Sequence, residues 1–207
     1  MRSILYKEFV AERTMILIYA AAVILFAAKV VPIFNPLALA FCLGIYFIFT
    51  TATHEDMNNG HILINSLPVD RKEVVTAKYA FHIAVGVGFI ALDILLEAVT
   101  GARLPDIAWQ FAVAALGIVW FVSVFFPLYF WLDHRFVRVA MVILFVMIVG
   151  AVPIMYNLGV KHNFWGLIDA AKSLPGSLLF GLAAAVTVLV LAVSWLLSVR
   201  LYERKQF

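Results

Sequence analysis

The sequence predicts an all-α polytopic membrane protein with six transmembrane helices, and two observations lead to this fold class. The chain of 207 residues is 65% hydrophobic and only 13% charged, about half the charged fraction of an average soluble domain. Its apolar residues also form six runs of roughly the 20 residues that a helix needs to cross a bilayer. Such runs exclude a β-barrel, whose strands are about ten residues of alternating polarity. We therefore expect one transmembrane domain over residues 1–207.

The six predicted spans are long apolar runs bounded by charged or turn-forming residues. They are Met15 to Ile33, Leu37 to Thr53, Tyr79 to Val99, Trp109 to Leu132, Val139 to Asn157 and Ser177 to Val199. No shift in composition divides the chain between them.

The residues before the first span have the pattern of an amphipathic helix. Arg2 and Arg13 flank an apolar stripe, from which long basic side chains reach lipid phosphates. The stripe recurs at helical spacing at Leu5, Tyr6, Phe9 and Val10. This pattern predicts a helix over residues 1–14 that lies in the membrane interface, as an anchor or as a docking surface for a partner protein.

The distribution of basic residues predicts the orientation. Six spans place both termini on one side, and that side, with the loop over residues 54–78, carries eleven of the fifteen Lys and Arg residues. Short loops rich in Lys and Arg remain in the cytoplasm. Both termini and the 54–78 loop are therefore expected inside the cell.

The segment over residues 158–176 is expected on the outside as a short interfacial helix. Aromatic residues such as Trp165 favour the boundary between lipid and water. Its apolar residues fall near one helical face and are Phe164, Trp165, Ile168, Ala171 and Leu174. Pro175 and Gly176 end this helix before the final span.

The 54–78 loop has strong turn and capping signals. Pro68 disfavours helix at Leu67, so the chain turns there. Asp70 stands three residues before Glu73, a capping box in which Asp70 accepts from the Glu73 backbone N–H. This predicts a helix that starts at Asp70 and runs directly into the third span, with Arg71, Lys72 and Lys78 where it meets the cytoplasmic leaflet. The loop is expected to be a rigid elbow.

The stretch NSLPVDRKEVVTAKY, residues 65–79, resembles a segment of ATP-binding-cassette (ABC) type-2 permeases. In their small six-span subfamily a similar run precedes the third helix. The Lys7-Glu8-Phe9 tripeptide and the closing Tyr202 to Lys205 are also similar to the ends of that subfamily. In size and layout the chain is similar to permeases of the phenol-soluble modulin exporter and of antibiotic resistance. The resemblance implies export of amphipathic peptides or hydrophobic, antibiotic-like compounds across a bacterial cytoplasmic membrane.

The same resemblance implies a set of partners. Two permease subunits, identical or paired with a paralogue, would combine with two cytoplasmic ABC ATPase subunits in membrane lipid, with no role for nucleic acid. The coupling helix would run from Glu55 to Asn65. The residues that the resemblance places at the ATPase contact are Glu55, Asp56, Asn58, Asn59, Asn65, Ser66, Leu67, Pro68, Asp70 and Arg71.

The motor is expected to be another polypeptide. A phosphate-binding loop requires G-x-x-x-x-G-K-[ST], and this sequence contains no Gly–Lys pair. ATP and Mg²⁺ would therefore bind the partner ATPase, and this chain would hold no cofactor and no catalytic residue. A metal site is not expected, because Cys42 is the only cysteine and the histidines in or near the spans, His82 and His134, have no second ligand at helical spacing.

Three charged residues fall inside predicted spans, where an unpaired charge costs several kcal/mol. Asp93 and Glu97 share a helix face, and we hypothesise that Lys29 bridges to them as a structural clasp in the outer half of the membrane. Two functional alternatives are an acidic patch that meets a cationic substrate and a proton relay. The relay would make the chain a proton-coupled secondary transporter.

The fourth predicted span is unusually aromatic. Its bulky side chains include Trp120, Phe125 and Tyr129, which are candidates for lining a path for an amphipathic substrate. Packing between helices is the alternative explanation for the same residues.

Overall fold

The computed structural model describes residues 2–28, 36–57, 70–99, 104–132 and 175–204, with the isolated positions Phe136, Val139 and Ile143. The regular structure in these ranges is entirely helical, which confirms the all-α class. The helices are α1 (Arg2–Ala27), α2 (Pro36–Met57), α3 (Arg71–Val99), α4 (Leu104–Trp131) and α5 (Gly176–Arg204). Each of these five is long and apolar enough to cross a membrane.

These five helices correspond to five of the six predicted spans, namely the first four and the last. Most of the predicted fifth span, Val139 to Asn157, lies outside the described residues, as does the predicted external helix up to residue 174. The count of six spans therefore stays a prediction.

The beginning of α1 differs from the expected arrangement. Residues 2–27 form one uninterrupted helix, so the predicted interfacial helix over residues 1–14 is continuous with the first span. No Gly or Pro occurs between Arg2 and Ala27 to end it. At 1.5 Å per residue α1 is about 39 Å long, longer than the roughly 30 Å hydrocarbon core. Tyr6 and Phe9 of the apolar stripe are exposed, whereas Ile4 and Glu8 face the other helices and are buried.

α3 lies at the centre of the described bundle and contacts each of the other four helices. On one side it packs with α4 and α5 around Phe126 and Tyr79, whose ring centroids are 4.8 Å apart. On another side it packs with α1 and α2 around Tyr19, Phe47 and Phe89. A change in the position of α3 therefore changes the packing of all four neighbours.

Glycine allows α2 and α3 to approach closely. A Cβ atom added at Gly44 of α2 would lie 3.6 Å from Gly86 Cα of α3 and 3.2 Å from Ile118 Cδ1 of α4, and one added at Gly86 would lie 2.9 Å from Ile118 Cγ2. Small residues at such crossings let membrane helices pack backbone to backbone. The crossing fixes α2, α3 and α4 against one another near mid-helix.

Contacts between helix ends define the direction of each helix. Arg71 at the start of α3 bonds the end of α5, and Tyr129 near the end of α4 donates to Ala52 O near the end of α2 at 3.4 Å. We call this the Arg71 end of the bundle. At the opposite end Trp109 of α4 packs on Phe180 of α5. The end of α4 and the start of α5 therefore lie at opposite ends of the bundle.

Candidate functional site

The candidate site is the Arg71 end of α3, where the helix leaves the predicted elbow. The helix begins directly after Asp70, as the sequence predicts. The main-chain N–H groups of Glu73 and Val74 donate to Asp70 O at 2.9 and 3.2 Å. The Asp70 side chain accepts from the Lys72 N–H at 3.4 Å, so the predicted capping bond is made one residue earlier than the Glu73 N–H. The start of α3 is thus a capped helix end.

Arg71 connects the start of α3 to the last turn of α5. Its Nη1 donates to Glu203 O at 2.7 Å and to Tyr202 O at 3.3 Å. The last carbonyls of a helix have no intrahelical donor and carry partial negative charge, so a guanidinium there is doubly favourable. Arg71, expected at an ATPase contact, therefore also anchors α3 to α5.

Three further hydrogen bonds join α3 to α5 at residues that follow Arg71 in α3. Trp195 Nε1 donates to Thr76 Oγ1 at 3.0 Å. The Tyr79 hydroxyl lies 2.7 Å from both Ser194 Oγ and Ser198 Oγ. All of these lie within the first nine residues of α3, so its initial turns are held to α5 at several levels.

The same network reaches α4 through an unusual carbonyl. Pro127 lies inside α4, and proline has no N–H to donate to the carbonyl four residues earlier. That carbonyl belongs to Ser123, and Ser194 Oγ donates to it at 2.5 Å. A backbone acceptor left free by proline is thus satisfied by a side chain of the neighbouring helix, as membrane proteins require.

On its other side α3 carries buried polar residues that the sequence did not identify as a site. Lys78 is buried together with Glu8 of α1, Thr51 of α2 and His82, and its position at the cytoplasmic leaflet stays a prediction. Among the described Lys, Arg and Glu residues, only Lys78 and Glu8 are buried. The resemblance at Lys7-Glu8-Phe9 was the one feature of the sequence that drew attention to Glu8. The pairing itself depends on which helices pack together.

Most of the residues predicted to contact an ATPase precede α3. α2 extends through Glu55 and Asp56 to Met57, beyond the predicted end of the second span at Thr53, and the side chains of these two acids are not described. The remaining residues lie outside the described ranges: Asn58, Asn59, Asn65, Ser66, Leu67 and Pro68. Asp70 and Arg71 are the members of the set whose contacts are described.

The intramembrane charges lie toward the opposite end of α3. Asp93 is 0% exposed, and neither of its carboxyl oxygens has a hydrogen-bond partner in the described structure. Glu97 lies one turn further along α3 and is partly buried. Lys29, the proposed cation of the clasp, lies outside the described residues. The structure thus brings the two acids together and leaves the ion pair untested.

The three aromatic candidates of α4 occupy different surroundings. Phe125 and Tyr129 are 1% and 8% exposed and pack in the core. Trp120 is 43% exposed, and its Nε1 donates to Thr187 Oγ1 of α5 at 2.8 Å. It borders an open cavity of about 390 Å³ between α4 and α5, which Trp109 and Phe180 also line. Of the three, Trp120 alone borders this cavity.

Within the ranges that the structure describes, no group of three or more His, Cys, Asp or Glu residues is arranged to hold a metal ion. Cys42 is exposed as a free thiol. His82, which the sequence suggested as a hydrogen-bonding histidine, bonds the backbone of α3 and the Thr51 side chain.

Comparison with known proteins adds one match. Residues 3–203 match the family model described as ABC-2 family transporter protein. The match covers α1 to α5 almost from the first residue to the last. A comparison with curated proteins finds no match to this chain.

Proposed function

Since this chain belongs to the ABC-2 family of transporter proteins, we propose that it is the permease subunit of an ATP-driven exporter whose ATP hydrolysis takes place in a separate ABC ATPase. The family match over residues 3–203 is the observation that carries this proposal. The absence of a Gly–Lys pair from the sequence supports a separate motor. The permease contributes the path through the membrane, and ATP with Mg²⁺ binds the partner.

The elbow over residues 54–78 is the proposed point at which the ATPase acts. It runs from the last turn of α2 to the first turns of α3, and the capped helix start at Asp70 leads directly into α3. Arg71 and Tyr79 join that helix to α5, and Ser194 joins α5 to α4. A displacement applied at the elbow therefore reaches three helices through short, directional contacts.

The proposed assembly contains two permease subunits, identical or paralogous, and two ATPase subunits in the bacterial cell membrane. Both termini and the elbow face the cytoplasm in this arrangement. We propose amphipathic peptides or hydrophobic, antibiotic-like compounds as the substrate class, on the resemblance to phenol-soluble modulin exporter permeases. The apolar cavity beside Trp120 supports a substrate with apolar side chains.

The coupling proposal is tested on the permease purified with its ABC ATPase in lipid nanodiscs. The double substitution Glu55→Gln and Asp56→Asn removes two charges at the end of α2, next to the elbow. We expect at least about a tenfold loss of ATPase copurification or of permease-dependent ATP hydrolysis, as for removal of buried charged contacts at an interface. Glu203→Gln, an exposed acid at the Arg71 end outside the elbow, is the matched control and should behave as wild type.

Two results would count against this function. Wild-type ATP hydrolysis after deletion of residues 55–65 would show that the elbow does not couple the two proteins. Export that stops with a proton uncoupler while ATP is still present would instead favour a proton-coupled carrier that uses Asp93 and Glu97.

A further inference from the structure

Four polar side chains form a buried cluster near the Arg71 end of α1, α2 and α3. They are Glu8, Thr51, Lys78 and His82, and each is 5% exposed or less. We call them the inner polar cluster. Lys78 is about 10 Å along α3 from Arg71, at 1.5 Å per residue. The cluster therefore lies inside the bundle at the point where the elbow ends, at Lys78.

An ion pair joins α1 to α3 in this cluster. Lys78 Nζ lies 3.9 Å from Glu8 Oε1, and the partly exposed Lys7 also approaches that oxygen, at 3.5 Å. Removal of one partner from a buried pair leaves the other charge buried and uncompensated. A shift of α1 along α3 separates Glu8 from Lys78, so the pair opposes sliding between these helices.

A histidine joins α3 to α2 at the next turn. His82 Nδ1 lies 2.7 Å from Lys78 O, which only accepts, so Nδ1 carries the proton. Nε2 lies 3.0 Å from Thr51 Oγ1, and the Thr51 hydroxyl also donates to Phe47 O of its own helix at 2.9 Å. Each ring nitrogen therefore has a hydrogen-bond partner. The bond to Thr51 is directional, and it sets the register of α2 against α3.

The same helices pack differently toward their other ends. Beyond Tyr19 the buried residues of α1 are Val23 and Ala27, which are apolar. At the matching level α3 buries Asp93, but neither of its carboxyl oxygens has a hydrogen-bond partner in the described structure. Contacts between apolar side chains are non-directional and are roughly proportional to area. They permit helices to tilt or slide by small amounts at lower cost than the polar contacts do.

We propose that the inner polar cluster locks α1, α2 and α3 into one rigid unit at the elbow, so that helix packing changes mainly in the outer half when the ATPase acts. This inference rests on the proposed function, because the ATPase supplies the displacement. It assigns Glu8 and Lys78 as positioning residues that include the N-terminal helix in the coupling unit.

Distances between spin labels measure the two levels separately. In a Cys42→Ser background, one pair of labels is placed at Phe9→Cys and Ala80→Cys near the cluster. A second pair is placed at Leu25→Cys and Leu95→Cys, about 24 Å further along α1 and about 22 Å further along α3. All four positions are exposed. The distances between the labels are measured on the permease–ATPase complex in nanodiscs, first without nucleotide and then with Mg-ATP and vanadate. Labelled permease subunits are diluted with unlabelled ones.

The inference predicts that the inner pair keeps its mean distance, whereas the outer pair changes by about 2 Å or more, the size of typical helix shifts. An inner pair that moves as much as the outer pair overturns the inference and leaves the proposed function standing. Hydrolysis with no change at either pair contradicts the transmission of force to this bundle and overturns both.

A second measurement needs no ATPase. Thermal stability of the isolated permease is compared for Glu8→Gln, Lys78→Gln and the double variant. We expect both single variants to be less stable than wild type and the double variant to be no less stable than the worse single. Lys7→Gln, which removes the partly exposed cation beside Glu8, is the control and should change stability least. Additive losses would show that Glu8 and Lys78 do not act as a pair.

In the complex the same variants distinguish positioning from simple loss of folding. In a Glu8→Gln complex that assembles with its ATPase, the inner label pair should broaden or shift with nucleotide. Unchanged inner distances in a folded Glu8→Gln complex would overturn the proposed lock.

Discussion

Asp93 is a buried carboxyl group for which the described part of the chain provides no hydrogen-bond donor. An unpaired charge in the interior of a membrane bundle costs several kcal/mol. Lys29 lies near the end of the first predicted span, and the ion pair that the sequence suggests between Lys29 and Asp93 would offset that cost. This remains a hypothesis at the scale of single residues, since Lys29 lies outside the described ranges.

A double-mutant cycle tests the pair. Lys29→Gln and Asp93→Asn should each lower the free energy of unfolding in mixed micelles by about 3 kcal/mol, the typical cost of breaking a buried pair. The double variant should lose clearly less than the sum. A more stable Asp93→Asn protein would show that no cation compensates the carboxylate. Wild-type assembly and export in an Asp93→Asn, Glu97→Gln protein would exclude the clasp, the acidic patch and the proton relay together.

At the scale of helices, the junction of α4 and α5 depends on one proline. Pro127 leaves Ser123 O without its intrahelical donor, and Ser194 of α5 provides the replacement bond. The same serine bonds Tyr79 of α3. Three helices therefore meet at one hydroxyl group, which explains why Ser194 is buried in α5.

Ser194→Ala should destabilise the permease by about 1–3 kcal/mol, the cost of an unsatisfied buried carbonyl. Ser198→Ala is the matched control, because that serine bonds Tyr79 but not Ser123, and it should cost less. In a Pro127→Ala background the alanine has a backbone N–H that restores the helical bond, so Ser194→Ala should then cost about as little as Ser198→Ala. Equal losses from Ser194→Ala in both backgrounds, measured by unfolding in mixed micelles, would contradict this account.

At the scale of the whole molecule, contacts between helix ends fix the directions of the five described helices relative to one another. Their orientation in the membrane therefore depends only on which side the Arg71 end faces. The starts of α1 and α3 and the ends of α2, α4 and α5 share the Arg71 end. If that end faces the cytoplasm, as the basic residues predict, then the elbow is accessible to a cytoplasmic ATPase and the start of α5 faces outward.

A membrane-impermeant maleimide tests this orientation in intact cells. In the Cys42→Ser background, Ser177→Cys at the start of α5 should react in intact cells, and Lys72→Cys within the elbow should react only after permeabilisation. Both positions are exposed in the structure, so a difference in reaction reports the side of the membrane. The reverse pattern would place the elbow outside the cell and would overturn the coupling proposal.

Features that depend on neighbouring residues in the chain were predictable. The apolar runs identified all five described helices, α1 to α5, and Asp70 marked the beginning of α3. The predicted boundary between an interfacial helix and the first span was not observed, because an amphipathic pattern reports which side of a helix is apolar and does not report whether the helix ends. Phe125 and Tyr129 could not be distinguished from Trp120 by sequence, since all three are aromatic residues of one helix and differ in which neighbour covers them.

The sequence by itself determined the fold class, most of the helices and the capped start of α3, because polarity and helix signals act over a few neighbouring residues. Only the tertiary structure decided that Glu8 pairs with Lys78, that Tyr79 bonds serines 115 and 119 positions away, and that Ser194 satisfies the carbonyl left free by Pro127. These partners come from different helices, and their choice depends on helix packing, which a linear pattern of polar and apolar residues does not specify.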